Sequence, residues 1–356
     1  MVSMRVKVLF FSVLAFQLSC EERYFLSLDP DVSDQLVING FIDQSEGPYF
    51  VYVALTQGDW KPPLGIENAQ VVIKDEGGQE ESCVHVYEGK YSCAGDVVSG
   101  NPGVAYHLEV TYDGQLFTSR PDRMPLVEAS SLMSWTEDQI ITTSVNGVDV
   151  IESSINFDLD VLVPNSEGFN FFQWRFEETY QVRETDFPDP FGTIPPPCYI
   201  TKKTGSKQFE LLFFNEFSSR QVTLDDAIVR PFDQSFLSKH IFIMYQQTIS
   251  ETYFKYLSQV EILTESAGTL FDPPSGRVQG NINTIDATVQ PIGFFGAIRV
   301  DTSYNVIYPN QINYTQKDGC LYNPSLADYE YEPYCADCIK LSGSSKEPPA
   351  YWSKVN

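Results

Sequence analysis

The three histidines are the first candidates for chemistry, because imidazole is a common general acid or base and a common metal ligand in proteins. His85, His107 and His240 each lie inside a segment with the apolar pattern of a β-strand. Such histidines usually pack within a sheet, so we interpret all three as structural residues. The sequence contains no G-x-S-x-G, H-E-x-x-H or Walker pattern. We therefore predict no catalytic residue and no enzymatic activity.

Closely spaced carboxylates are the second candidate, because a glycosidase needs two of them about 5 to 10 Å apart. They occur at several positions: Glu177 with Glu178, Asp225 with Asp226, and Asp158 with Asp160. In a chain with 48 acidic residues such pairs are expected by composition alone. Spacing along the chain does not place two carboxylates in space, so a surface hydrolase remains only an alternative hypothesis.

The C-x2-C spacing of Cys335 and Cys338 is typical of zinc ligands. A zinc site would need a fourth partner beside Cys320, and no histidine follows these cysteines in the sequence. Cys198, in turn, lies far upstream, beside a proline-rich loop. In an oxidising compartment we expect these four cysteines to form disulfides rather than a metal site. Four cysteines allow three pairings, and the sequence leaves the pairing open.

Cys83 and Cys93 flank a Glu88-Gly89 turn almost symmetrically. Two cysteines placed in this way on neighbouring antiparallel strands can face each other. We therefore predict a cross-strand disulfide between them.

Two other segments resemble ligand sites only superficially. Residues 29–34 begin like a calcium loop, but the sixth position, where such a loop needs glycine, is Asp34. The segment is typical of a solvated acidic tether. Phe172, Trp174 and Phe176 share one face of a strand, which indicates core packing rather than ligand stacking. The sequence predicts no metal and no cofactor.

The N-terminus has the features of a signal peptide over residues 1–19. Arg5 and Lys7 precede an apolar run at 8–16, which is about half the roughly 20 residues needed to span a membrane. A serine precedes Cys20, as at a bacterial lipoprotein cleavage site. Gln17 and Leu18 depart from the usual pattern, so a soluble secreted protein remains the alternative. We predict lipidation of Cys20, which leaves six cysteines for three disulfides.

Composition describes a folded, strongly acidic protein. The chain is 42% hydrophobic and 14% aromatic, which is unlike a disordered sequence. Its formal charge is −25, and it has only 23 basic residues. A basic patch that binds nucleic acid or an anionic membrane surface is therefore not expected.

The first half of the chain has closely spaced strand signals after a tether at 20–34. Seven short apolar or alternating segments are separated by turn residues: 36–42, 49–55, 69–75, 82–88, 90–94, 105–112 and 115–120. Asp113-Gly114 is the strongest hairpin turn signal. This pattern predicts an immunoglobulin-like β-sandwich over residues 35–125. A proline-containing linker at 120–129 follows it.

Residues 126–356 are predicted to form a second, β-rich, sandwich-like domain. Longer strands are expected at 149–163, 169–183, 207–214 and 239–248, with a last strand at 293–300. One amphipathic helix is expected at about 250–266, with Ser250 as its N-cap. Few aliphatic runs occur in the C-terminal tail, so we expect disulfides to tie it down and Trp352 to pack as an apolar anchor.

Several segments together resemble a known family, in this order: the lipoprotein start, VINGFI, GPYFVYV, AQVVIKDEGG, the GNI that contains Asn281, FFGA, CADC and PPAYW. The order of these segments is similar to that in the Bacteroidota family named domain of unknown function 4249. The resemblance covers about residues 20–352.

The resemblance implies an outer-membrane lipoprotein, often encoded beside a TonB-dependent receptor, with no established activity. Glu21 and Glu22, directly after Cys20, resemble the Bacteroidota signal for export to the outer face. We therefore expect a non-enzymatic, lipid-anchored, surface-exposed accessory or binding component of a TonB-dependent uptake system. A periplasmic orientation stays open. An adhesion or cell-envelope scaffold protein is the main alternative function.

Overall fold

The computed structural model describes residues 35–57, 61–143, 147, 149–164, 168–185, 195–205, 207, 209–215, 220–266, 278–285, 291–314, 318–327 and 330–355. Over these ranges the protein is mainly β. Its strands form sheets of eleven, three and six strands. No helix in the described ranges is both long enough and apolar enough to cross a membrane.

The described part of the first half of the chain contains nine strands: β1 (Leu36–Ile42), β2 (Tyr49–Leu55), β3 (Leu64–Gly65), β4 (Gln70–Asp75), β5 (Glu80–Tyr87), β6 (Lys90–Cys93), β7 (Ala105–Tyr112), β8 (Gln115–Ser119) and β9 (Asp122–Arg123). Antiparallel pairing gives the order β8-β7-β4-β5-β6-β2-β1. The β7–β8 turn is Asp113-Gly114, and both residues have positive φ, 50° and 74°. This backbone conformation explains the Asp-Gly sequence.

The folded-over first sheet encloses an apolar core. Alternate side chains of its strands point inward, as Ile38 of β1 and Val53 of β2 do. The Tyr91 and Tyr106 rings are also fully buried there, with their hydroxyls hydrogen-bonded to backbone groups. Cys83 of β5 and Cys93 of β6 form the predicted cross-strand disulfide. The prediction of a β-sandwich is confirmed.

A buried carboxylate fixes the loop that follows β6. Glu81 of β5 accepts hydrogen bonds from the backbone N–H groups of Gly95 (2.6 Å), Val97 (3.2 Å) and Val98 (2.8 Å). Burial by itself raises the pKa of the Glu81 carboxyl, but these backbone hydrogen bonds outweigh burial and lower it.

Replacing Glu81 with glutamine should destabilise the protein by about 1–3 kcal/mol, because an amide cannot accept all three hydrogen bonds. Since the folded-state pKa is lowered, the stabilisation is present above the unfolded-state pKa of about 4.3. It is lost as the pH falls through the folded-state value. Urea unfolding at pH 7 and at pH 4 measures both effects. The neighbouring, exposed Glu80→Gln is the matched control, and an equal loss in both variants would contradict this role of Glu81.

The second half of the chain continues with β10 (Ser130–Thr143), β11 (Asp149–Leu162), β12 (Asn170–Val182), β13 (Cys198–Lys203), β14 (Glu210–Phe214), β15 (Gln221–Pro231), β16 (His240–Ile249), helix α1 (Glu251–Ser266), β17 (Ile282–Thr284), β18 (Phe295–Ala297), β19 (Arg299–Ile307), helix α2 (Pro333–Ala336) and β20 (Ser344–Ser345). The three-stranded sheet is β10-β11-β15. The six-stranded sheet is β19-β16-β12-β13-β20, with β14 also paired to β12.

These two sheets pack face to face over one core. Phe157 of β11 contacts Phe242 of β16, with ring centroids 4.5 Å apart. Phe172, Trp174 and Phe176 of β12 point into the same core, as predicted. The Trp174 Nε1–H lies 3.2 Å from Ser131 Oγ of β10, so the two sheets are also joined by a hydrogen bond.

Helix α1 confirms the predicted helix and its start. The Ser250 hydroxyl oxygen accepts a hydrogen bond from the Tyr253 N–H at 3.1 Å, as an N-cap does. One side of the helix packs Leu257 against Ile249 and Ile298. Tyr253, one turn before Leu257 on the same side of the helix, stacks on Phe294, with ring centroids 4.8 Å apart. This apolar side of the helix therefore contacts both the end of β16 and the residues that flank β18.

Two strands from the second half complete the first sheet. β18 pairs in parallel with β1, and β17 pairs antiparallel with β8. The single strand predicted at 293–300 is wrong, because the chain changes sheet at Ile298, between β18 and β19. The predicted domain boundary at residue 125 stays a prediction, although hydrogen bonding crosses it. Strand pairing between residues so far apart leaves no local pattern in the sequence.

The C-terminal tail is held by disulfides and by aromatic contacts. Cys338 pairs with Cys198, and Cys335 pairs with Cys320. These pairs resolve the pairing that the sequence left open. The Trp352 ring meets Tyr199 of β13 edge-on, with centroids 5.1 Å apart, as expected of a terminal anchor. The tail therefore covers one edge of the six-stranded sheet.

Candidate functional site

A cleft of about 790 Å³ lies where the tail meets the six-stranded sheet. Three segments form its walls: the end of β12 (180–183), the turn that precedes β16 (233–239), and the tail residues Asp318, Cys320, Tyr334 and Leu341. A cleft of this size is within the usual range for small-molecule sites. The Cys198–Cys338 disulfide ties this tail wall to β13, and the Cys320–Cys335 disulfide crosslinks the wall within itself.

Hydrogen bonds fix the walls of the cleft to each other. The Ser238 hydroxyl donates to the Gln181 carbonyl oxygen at 3.0 Å. The Tyr334 hydroxyl donates to Gln234 Oε1 at 3.0 Å. Burial raises the pKa of both Tyr180 and Tyr334, so these phenols are neutral hydrogen-bonding groups at physiological pH. The cleft thus has rings, amides and hydroxyls in fixed positions.

A buried charge cluster lies directly behind the cleft. Glu178 of β12 is fully buried and accepts from Arg230 Nε of β15 at 2.9 Å. Lys202 Nζ of β13 lies 3.1 Å from the other carboxylate oxygen. Arg230 also donates to Asp233 Oδ2 at 2.7 Å, and Asp233 lines the cleft. The cluster therefore connects both sheets to the cleft wall.

The carboxylates of this cluster are ionised. Burial raises the pKa of Glu178, but the hydrogen bond from His240 and the charge of Arg230 outweigh it and lower that pKa to about 2. Burial likewise raises the pKa of Asp233, and hydrogen bonds from Ser235 together with the charge of Arg230 lower it overall. A general acid must hold a proton at working pH. Neither carboxylate meets that condition.

His240 packs as a structural histidine of the sheet. Its ring is stacked between Phe236 (4.4 Å between centroids) and Phe242 (4.6 Å). Its Nε2 lies 3.3 Å from Glu178 Oε2. Burial lowers the pKa of His240, so the neutral ring donates its Nε2–H to the carboxylate. Nδ1 is buried and has no hydrogen-bond partner in the described structure.

The other two histidines lie in the first sheet, away from this cluster in the fold. His85 Nε2 accepts from the Gly89 N–H at 3.3 Å, and His107 lies 3.8 Å from Glu109. The three histidines therefore do not form one site.

Lys239 is the amine on the cleft wall. Its Nζ donates to the carbonyl oxygens of Trp352, at 2.8 Å, and of Val355. Burial lowers the pKa of this ammonium group. Lys239 therefore fastens the end of the tail over the sheet.

Carboxylates of the three acidic pairs accept hydrogen bonds from neighbouring strands. Glu177 and Glu178 point to opposite faces of β12, and Glu177 accepts from the Tyr245 hydroxyl at 3.1 Å. Asp158 accepts from the Asp226 N–H at 3.0 Å, and Asp160 accepts from Thr223. Asp225 lies in the same irregular part of β15 as Asp226. These contacts are structural.

One cluster has the composition of a metal site. Glu184, Cys198 and Cys338 bring ligand atoms within 4.8 Å of one another. The two sulfurs, however, form a disulfide and are not the thiolates that bind zinc. Lys346 Nζ also lies 2.6 Å from the Glu184 carboxylate. We assign these residues to the attachment of the tail.

Several predicted residues lie outside the described ranges. They are Cys20, Glu21 and Glu22 of the lipoprotein hypothesis and residues 29–34 of the calcium-like segment. The sequence analysis also missed residues that the structure brings together. Arg230 carried no local signal, and Glu178 was only one of many carboxylates. The buried ion pair of Arg230 and Glu178 joins residues far apart in the sequence, and no spacing pattern predicts such a pair.

A protein-family model described as Domain of unknown function (DUF4249) matches residues 21–303. The search of the curated proteins found no match. The matched range includes the charge cluster and most of the cleft walls, whereas the disulfide-tied tail follows it.

Proposed function

Because this chain belongs to the DUF4249 family, whose description states no activity, we propose its function from its own geometry. We propose a lipid-anchored, surface-exposed binding protein that captures a polar ligand in the cleft under the tail and serves a TonB-dependent uptake system. The observation that carries the proposal is the cleft itself, about 790 Å³ in volume with one wall fixed by disulfides.

Binding fits this cleft better than catalysis does. Preorganised walls reduce the entropy lost when a ligand is ordered. Tyr180 and Tyr334 offer ring faces and hydroxyls, and Gln181 and Gln234 offer amides. Asp233, a carboxylate on the wall, is held ionised by Arg230. This arrangement can hold a polar ligand, but Asp233 is not available as a general acid.

The proposed membrane location of the protein rests on the N-terminal sequence. A basic and apolar segment precedes Cys20, and Glu21 and Glu22 follow it. Lipidation at Cys20 would leave residues 21–35 between the membrane and β1. The family resemblance supports a TonB-dependent receptor as the neighbour.

A second candidate, a scaffold or adhesion protein, is favoured by one exposed feature. β10 and β11 continue beyond the part paired with β15 as a two-stranded ribbon. Ile141 and Ile151 pair directly across this ribbon, and their side chains are 71% and 67% exposed. Exposed aliphatic pairs of this kind suit contact with another protein.

Crosslinking on intact cells, followed by affinity purification, tests the proposed function. We expect a TonB-dependent receptor in near-stoichiometric amount with the wild-type protein, and its loss with Cys20→Ala. Small molecules that copurify with wild type should be lost in Tyr334→Ala but kept in Tyr87→Ala, an exposed tyrosine outside the cleft.

Recovery of a polymeric surface component without a receptor would support the scaffold function instead. Ile141→Asp should then release that component. Turnover of copurified material by the wild-type protein would overturn the non-enzymatic assignment.

A further inference from the structure

A second cleft lies on the first sheet, and it shares no lining residue with the cleft under the tail. It has a volume of about 330 Å³ and lies between the outer face of β1 and β2 and helix α1. Six aromatic residues line it: Phe41, Phe50, Tyr52, Tyr253, Tyr256 and Phe294. We call it the aromatic cleft.

The inner wall of the aromatic cleft is rigidly held. The Phe294 ring stacks on Tyr253 at 4.8 Å and lies 5.2 Å from Tyr256. The backbone N–H of Phe294 donates to Asn39 Oδ1 at 3.0 Å. Burial raises the pKa of Tyr253 to about 12, so its phenol is neutral. The wall is a fixed, uncharged aromatic surface.

The outer rim is open and carries one positive charge. Phe41 and Phe50 are 36% and 42% exposed. The ammonium group of Lys90 lies 3.8 Å from the centre of the Phe50 ring. Among the described residues, Lys90 forms no ion pair. The ammonium group of Lys90 therefore lies over the Phe50 ring and can form an ion pair with a bound ligand.

The charged residues of the lining favour an anionic ligand. The chain has a formal charge of −25, yet the described residues of the lining include no aspartate or glutamate and one lysine. An anion therefore meets Lys90 without facing a carboxylate in the wall.

Most of the lining surface is apolar, so a sugar would leave several hydroxyls unpaired. Aromatic walls instead favour a ring that can stack or meet them edge-on. We propose that the aromatic cleft binds a small molecule that carries an aromatic ring and a carboxylate, with the carboxylate at Lys90.

A one-ring probe matches the cleft, because 330 Å³ is near the lower end of small-molecule sites. We choose 3-phenylpropionate as the probe. Phenethylamine, which carries a positive charge on a similar ring, and methyl glucoside, a sugar, are the comparison compounds. Titration calorimetry and saturation-transfer NMR on the purified full-length protein should show saturable binding of 3-phenylpropionate with Kd about 1 mM. Phenethylamine should bind at least about fivefold more weakly, since its charge meets a cation.

Two substitutions at the rim, at the half-buried Lys90 and the exposed Phe50, test the two parts of the site without removing core residues. Lys90→Gln should weaken 3-phenylpropionate about fivefold and remove the preference over phenethylamine. Phe50→Ala should weaken both ring compounds. The controls are Lys203→Gln, at an exposed lysine outside the cleft, and Phe169→Ala, at another exposed phenylalanine, and both should bind like wild type.

The proposal is independent of the cleft under the tail, so Tyr334→Ala should leave this binding intact. Absence of saturable 3-phenylpropionate binding would overturn it. Equal effects of Lys90→Gln and Lys203→Gln, or tighter binding of methyl glucoside than of 3-phenylpropionate, would do the same.

Discussion

Replacing Glu178 with alanine should lower the free energy of unfolding by about 3–5 kcal/mol, the cost of breaking a buried ion pair by removing one partner. The Glu178 side chain has no exposed surface, and Arg230 Nε lies 2.9 Å from it. Without the carboxylate, a largely buried guanidinium loses its main counter-ion. Lys202 and the Nε2–H of His240 also lose their partner. Chemical denaturation, followed by circular dichroism and by tryptophan fluorescence, to which the buried Trp174 contributes, measures the loss.

The same prediction has a pH dependence. The pKa of Glu178 is lowered to about 2 in the folded state, against about 4.3 when unfolded. The carboxylate therefore stabilises the fold above about pH 4.3, and this stabilisation falls progressively as the pH decreases towards 2. The difference in stability between wild type and Glu178→Ala should shrink over that interval.

Two further variants separate the loss of the buried ion pair from the general effect of removing a carboxylate. Glu152→Ala removes an exposed carboxylate and should change stability by no more than about 0.5 kcal/mol. The double replacement Glu178→Leu with Arg230→Met should cost less than Glu178→Ala alone, because no unpaired charge stays buried. A Glu178→Ala protein as stable as Glu152→Ala would contradict the importance of the cluster.

Local signals in the sequence predicted much of the fold. Asp113-Gly114 predicted a hairpin turn because only a few residues accept two consecutive positive φ angles. Ser250 predicted the start of α1 because its hydroxyl can accept an N–H of the first turn. The shared face of Phe172 and Trp174 predicted core packing from the two-residue period of a strand. In each case the physical cause acts within a few residues.

The features that sequence analysis missed depend on distant residues. β18 pairs with β1 across more than 250 positions, and no local pattern specifies such a partner. Arg230 meets Glu178 only because β15 and β12 belong to two packed sheets. Both clefts lie where such distant elements meet. The sequence contains the residues that line the clefts, but it does not show that these residues lie close together in the fold.

Removal of the Cys198–Cys338 disulfide should have the largest effect on stability among the three disulfides. In the chain-entropy model the stabilisation grows with the length of the closed loop. The Cys198–Cys338 bond spans 140 residues, which corresponds to about 5 kcal/mol. The Cys320–Cys335 bond spans 15 and the Cys83–Cys93 bond spans 10, which correspond to about 3 kcal/mol each. These values are upper guides, because native-state strain offsets part of the gain.

The same bond should also decide whether the cleft under the tail exists. Leu341 lies three residues beyond Cys338, and its side chain packs beside Cys198 and Cys338 in a small apolar cluster. We expect Cys198→Ser with Cys338→Ser to release the tail, so that trypsin cuts at Lys340 and Lys346 before it cuts the sheets. Cys83→Ser with Cys93→Ser is the matched control, because it breaks a disulfide in the first sheet and should leave the tail protected.

Non-reducing peptide mapping of the wild-type protein checks the pairing itself. It should recover Cys198 linked to Cys338 and Cys320 linked to Cys335. Free thiols at these four positions would contradict the pairing, and stoichiometric zinc in the purified protein would make the C-x2-C spacing a metal site. If the pairing holds but the double serine variant keeps its tail protected, the hydrogen bonds of Lys239 and the Trp352 contact would be sufficient to fix the wall. The cleft would then depend on packing rather than on covalent closure.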